Sequence, residues 1–176
     1  MRTSSRRSQR GGLADLGPAL WVLFLLLTFP LLDLATVTLR YTFLLGASRD
    51  AAQMASTAKT FQTNLDSADL SAENIASARA QANCGSFAGI TYQSTTTYLV
   101  VTNLSTNAIT TQSTPLNSPA DTTNNLYQIK VVVNALVWPL LPYNNKYFGS
   151  IPGLTAPMQF SVPTVEVCEN PSGMNQ

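Results

Sequence analysis

Seventeen uncharged residues, Leu16 to Leu32, stand between Asp15 and Asp33, and six more, Leu34 to Leu39, follow before Arg40. Read together, Leu16 to Leu39 is a 24-residue apolar run with a single acid inside it. A helix rises ~1.5 Å per residue and crosses a ~30 Å hydrocarbon layer in about 20 residues, so the run is long enough to span a membrane. A secretory signal has a shorter apolar region, about 7–15 residues, before a small-x-small cleavage site. The best such site here follows Ala35 and puts Asp33 at the third position before the cut, a poor fit. The run therefore reads as a retained anchor. Arg2, Arg6, Arg7 and Arg10 precede it, with no acid before Asp15. Positive flanks stay cytoplasmic. This predicts a single-pass protein of the inner (cytoplasmic) membrane, its N-terminus cytoplasmic and its C-terminal part periplasmic or extracellular.

Helical character continues past the run. Tyr41, Leu44, Ala47, Ala51, Met54, Ala58 and Phe61 recur at spacings of three and four, one apolar face of an amphipathic helix. A helix from about Pro18 to Gln62 would be about 65 Å long, with Pro18 in its first turn and Pro30 expected to kink it. Four regions follow from this reading: a basic N-terminus over 1–15, a transmembrane helix over 16–39, a stalk helix over 40–62, and an extracytoplasmic α+β domain over 63–176.

Within that domain, "SAENIASARAQANCG" reads as a short second helix. Ser71 can cap it, Glu73 suits its positive end, and Gly85 can close it. From Ile90 the period changes to two. "ITYQSTTTYLVV" is β-branched and aromatic, "LYQIKVVVNALV" alternates, and "MQFSVPTVEVC" alternates again with Pro163 marking an edge or a bulge. The expected fold class is α+β: a long N-terminal helix, a short second helix, and a C-terminal antiparallel sheet of three to five strands with the helices on one face. Trp138, Tyr143, Tyr147 and Phe148 lie in a Pro-rich stretch that either caps the core or contacts a neighbour. Asn103-Leu104-Ser105 matches a glycosylation triplet, a pattern common by chance.

Only 11% of residues are charged and the net charge is +1, which argues against a nucleic-acid partner. There is no histidine. The usual general base and the commonest zinc ligand are thus missing, and Ser/His/Asp or Cys/His catalysis is closed. No P-loop or dinucleotide fingerprint occurs. Asp66, Asp69 and Glu73 gather at a helix start, where capping explains them better than a metal does. We therefore expect no enzyme activity, no catalytic residue, no metal, no cofactor and no small-molecule substrate. The two cysteines, Cys84 and Cys168, are too far apart in sequence for a redox or zinc motif. In an oxidising compartment they are expected to pair as a disulfide.

The Arg-rich start with "RGGLAD", the span "LFLLLTFPLLDLATVTLRYTF" and the Ala-rich continuation "LLGASRDAAQMAS" resemble the TadE-like pseudopilins of tight-adherence (Tad) pili. The strand "YQIKVVVNALVWPLLP", a loop, and the strand "MQFSVPTVEV" also look like the usual ending. The resemblance implies a pilin-like fold and a role in building or priming a filament. It implies pilin or pseudopilin subunits and the assembly machinery as partners, beside the membrane. Processed members are cut after a glycine and carry glutamate at the fifth mature position. A cut after Gly11 or Gly12 would put Asp15 fourth or third, so these glycines depart from that pattern; related TadG-like proteins keep an uncut anchor. Asp15 and Asp33, 18 positions apart, are the candidate assembly contacts. For Asp33 the alternative is contact with headgroups and water. The second functional reading is a membrane-tethered domain that binds a ligand or surface through its loops.

Overall fold

The computed structural model describes residues 16–62, 71–142 and 149–175. The fold is α+β. Helix α1 spans Leu16–Ser56 and helix α2 spans Ala72–Gly85. Strands β1 (Ile90–Asn103), β2 (Ile109–Gln112), β3 (Asn125–Val137) and β4 (Met158–Val167) form one antiparallel sheet in the order β2-β1-β3-β4. A short 3-10 turn, Pro171–Gly173, follows.

Helix α1 has two halves with different surroundings. From Leu16 to Leu32 its side chains are exposed almost throughout. From Asp33 onward it buries Val37, Leu44, Ala47, Ser48, Ala51, Ala52, Ala55 and Ser56. Among the described residues it is the one helix long and apolar enough to cross a membrane. Pro30 lies inside it without ending it. A proline removes one ladder hydrogen bond, and the turns on either side keep the helix continuous.

The helix ends at Ser56, short of the expected Gln62. Ser56 and Thr57 hydroxyls donate back to the carbonyls of Gln53 and Met54, and the chain turns at Ala58. Such local bonds compete with the helical ladder. Phe61 is nevertheless buried with the core, as the apolar spacing predicts.

Helix α2 runs back along α1. Its N–H groups at Ala72 and Glu73 donate to the carbonyls of Thr60 and Phe61, while Asn83 near its end donates to the Asp50 carboxylate at 2.7 Å. Ser71 caps it by accepting from Asn74 N–H, and Glu73 sits in its first turn. The buried line Ala72, Ala76, Ala80, Cys84 faces the alanines of α1. Small side chains on both helices let the axes come close.

Strand β3 carries the strict alternation of its sequence into space. Tyr127, Ile129, Val131, Val133, Ala135 and Val137 all point into the core. The upper half of α1 lies over β3 and β4, and α2 lies over β1. The Ser48 hydroxyl donates to the Val162 carbonyl at 3.1 Å and meets the Thr164 hydroxyl at 2.8 Å, tying α1 to the edge strand. Pro163 is on that edge strand, opposite Val132, where the lack of an N–H costs no ladder bond to a further strand. The tail completes the layer: Glu169 N–H donates to Ser56 O, and Met174 is fully buried.

Candidate membrane-boundary site

Strand β3 ends at Val137, and Trp138-Pro139-Leu140-Leu141-Pro142 carries the chain off the sheet. Two prolines in five residues exclude a continued ladder. The backbone groups of this loop must find other partners, and helix α1 provides them. The Asp33 carboxylate accepts the Leu141 N–H at 3.0 Å. The Arg40 guanidinium donates to the carbonyls of Trp138 and Pro139, the latter at 3.0 Å. Asp33 and Arg40 are seven residues apart, almost two full turns, so they rise from one face about 10 Å apart along the axis. They are too far apart to pair with each other, and they instead grip one loop from both ends.

The other side of the clasp is the turn before β1. Trp138 N–H donates to Gly89 O at 2.9 Å, and the indole N–H donates to the Thr91 hydroxyl at 3.1 Å. Gly89 has φ +84°, and a side chain there would run into the Arg40 guanidinium. The bare Cα is what leaves room for that guanidinium. Aromatic rings gather at the same level: Phe43 stacks on Phe87 with centroids 4.2 Å apart, and Tyr41 meets Phe160 at 4.7 Å. Trp138 joins them, partly exposed, with Leu140 and Leu141 each 49% exposed. Among the described residues, only the exposed apolar half of α1 lies below this collar.

Asp33, expected to face a neighbouring subunit or headgroups, is only 6% exposed and bound within its own chain. The sequence offers Trp138 and its Pro-rich stretch as a core cap or a contact with a neighbour, and gives Arg40 and Gly89 no part in a site. The available signal was an acid and a base seven apart at the end of an apolar run, together with a Pro-bounded apolar loop short of partners. Arg2, Arg6, Arg7, Arg10, Gly11, Gly12 and Asp15 lie outside the described residues, as do Asp66, Asp69, Tyr143, Tyr147 and Phe148. The Glu73 carboxylate accepts from the Gln62 amide at 3.3 Å. Among the described residues no group of three or more histidine, cysteine, aspartate or glutamate side chains is arranged to hold a metal. Asn103 uses its side chain in the β1–β2 turn. Its carbonyl oxygen accepts from Ser105 and Thr106, and its amide donates to Asn125.

The expected disulfide is corrected. Cys84 and Cys168 are both free and buried. Cys168 N–H donates to Tyr127 O, at one end of β3, while Cys84 precedes the turn into Ile90, which pairs with Val137 at the other. Ten residues of strand span about 33 Å, whereas a disulfide needs Cα atoms within about 7 Å. Burial pushes both thiols above the ordinary range, because desolvation disfavours the thiolate. Two results are expected. In native protein without reductant, iodoacetamide at pH 8 labels neither thiol readily, and in denaturant it labels both. Because the folded state holds these protons more tightly than the unfolded chain, stability is full below the ordinary thiol pKa and falls as pH rises past it. A linked peptide pair in non-reducing mass spectrometry would contradict this arrangement.

Comparison with known proteins finds no matching family model, no matching curated protein and no matching solved structure.

Proposed function

We propose that this chain is a single-span, pseudopilin-like assembly subunit of a Tad-type pilus or a related secretion filament. One observation carries the reading: α1 passes without a break from an apolar half that the other described residues leave exposed into the core of the head. A simple tether needs no such continuity, and a flexible linker would serve it. An exposed apolar half fused rigidly to a head suits a subunit that first sits in lipid and then packs its helix against other subunits. The orientation, with the head outside the cytoplasm, rests on the four N-terminal arginines. The resemblance of the sequence to TadE-like proteins points the same way.

The bare outer face of the sheet favours the second reading, a tethered binding domain. Leu126, Val165 and Val167 are exposed there, and Lys130 lies over the Tyr98 ring at 5.9 Å. Replacing residues 16–32 with an unrelated apolar helix of equal length separates the two. An assembly subunit should still insert and display its head, yet lose its crosslinks to partner subunits and its share of sheared filaments. A tethered binder should keep full surface binding. Unimpaired assembly with the foreign span would sink the subunit reading.

A further inference from the structure

We propose that the Trp138–Leu141 loop is a foot that enters the membrane leaflet on the head's side, and that Asp33 and Arg40 exist to satisfy its backbone there. The partner is lipid, the same bilayer that α1 crosses. The inference rests on the reading of α1 as a membrane span.

The depth follows from helix length. The uncharged stretch before Asp33, 17 residues, rises about 25 Å, less than the ~30 Å hydrocarbon layer. Asp33 therefore falls at the inner edge of the headgroup region or just within the hydrocarbon. An aspartate at that depth ordinarily reaches outward to water. This one is 6% exposed and holds the Leu141 N–H. Leu141 consequently lies at the same depth, and Leu140 and Leu141 extend the apolar wall that Leu31, Leu32 and Leu34 already present.

Irregular backbone is tolerated at membrane depth only where its polar groups are satisfied by protein. Four backbone groups of this loop meet that requirement. Pro139 and Pro142 have no N–H. The N–H groups of Trp138 and Leu141 go to Gly89 O and the Asp33 carboxylate, and the carbonyls of Trp138 and Pro139 accept from Arg40. Arg40, two turns above Asp33, stands at headgroup height, and the partly exposed Trp138 lies where interfacial tryptophans concentrate. A loop built for water would need neither charged group, since water would satisfy the same atoms.

The chain has two tryptophans, Trp21 and Trp138, so depth can be read by fluorescence. The full chain is reconstituted in phosphatidylcholine vesicles whose acyl chains carry bromine at a shallow or a deep position. Trp21→Phe isolates Trp138, and Trp138→Phe isolates Trp21 in the span. The proposal expects quenching of both, with Trp138 losing most of its emission to shallow bromines and little to deep ones. If Trp21 is quenched and Trp138 is not, the span stands and the foot is overturned. If Trp21 escapes quenching, α1 is not in lipid and the anchor reading beneath the proposal fails. Leu141→Cys tests the rival occupant, because Cys84 and Cys168 are buried. Efficient oxidation to a dimer, with Trp138 unquenched, would mean that a second copy covers the loop and would overturn the lipid assignment.

Discussion

Gly89→Ala is expected to disengage Arg40 and free the Trp138–Leu141 loop. The glycine adopts φ +84°, which costs another residue roughly 1–2 kcal/mol. The larger effect comes from where the new methyl group points, into the Arg40 guanidinium. That side chain is long and moves aside easily, so the collision itself is relieved at little cost. Moving aside breaks its hydrogen bonds to the carbonyls of Trp138 and Pro139, each worth about 1.5–3 kcal/mol when the donor is charged. Urea denaturation in detergent should show a lower midpoint with an unchanged slope. Arg40→Ala should have a similar effect. The double variant should cost less than the two singles added, because both act through the same bonds. Strict additivity would mean that Gly89 supports something other than the guanidinium.

Phe61→Ala is expected to be the most damaging single truncation in the head. Phe61 is fully buried, and removing such a ring costs about 3–5 kcal/mol, a large part of a typical 5–15 kcal/mol total. It also sits where α2 begins, since the carbonyls of Thr60 and Phe61 accept the N–H groups of Ala72 and Glu73. Loss of the ring should loosen the seat of that helix and lower the denaturation midpoint strongly. Phe24→Ala is the matched control. It removes the same atoms from the bare half of α1, where Phe24 is 58% exposed, and should leave head stability unchanged. A comparable loss from Phe24→Ala would show that the two halves of α1 do not unfold independently.

Much of this fold is legible in the sequence because local and global signals agree. The alternation from Tyr127 to Val133 predicts a strand with one buried face, and the strand buries that face. Ser71, Glu73 and Gly85 mark the limits of α2, and the helix begins and ends there. The end of α1 was harder to read. The apolar spacing runs on through Phe61 while the hydroxyls of Ser56 and Thr57 stop the helix earlier, and periodicity does not register that competition. The short strand β2 carries no clear period and pairs only with β1.

The boundary site was less legible still. Asp33 is conspicuous in an apolar run, but its partner is a backbone N–H 108 positions away. Backbone groups leave no trace in the identity of a residue. Arg40 and Gly89 matter through a shared volume that exists only after β1 and β3 pair. The cysteines failed in the opposite sense. Two thiols in an expected extracellular domain invite pairing by count, while the strand register holds them at opposite ends.

The unbroken path of α1 also makes the molecule a lever. On the proposed reading of α1 as a membrane span, the helix from Asp33 to Ser56 extends about 35 Å beyond the membrane boundary, with Ser48 bolting the sheet to it and the Ser56 carbonyl holding the tail at Glu169. No swivel separates span from head, so any lean of the span is copied by the head. Membrane helices tilt by about 20° on average. Over that arm the same angle carries the far end sideways by roughly 12 Å, about the width of one helix. A change in bilayer thickness or in the neighbours of residues 16–32 would thus be felt at the outer end of the sheet as a displacement one helix wide, with no rearrangement inside the head.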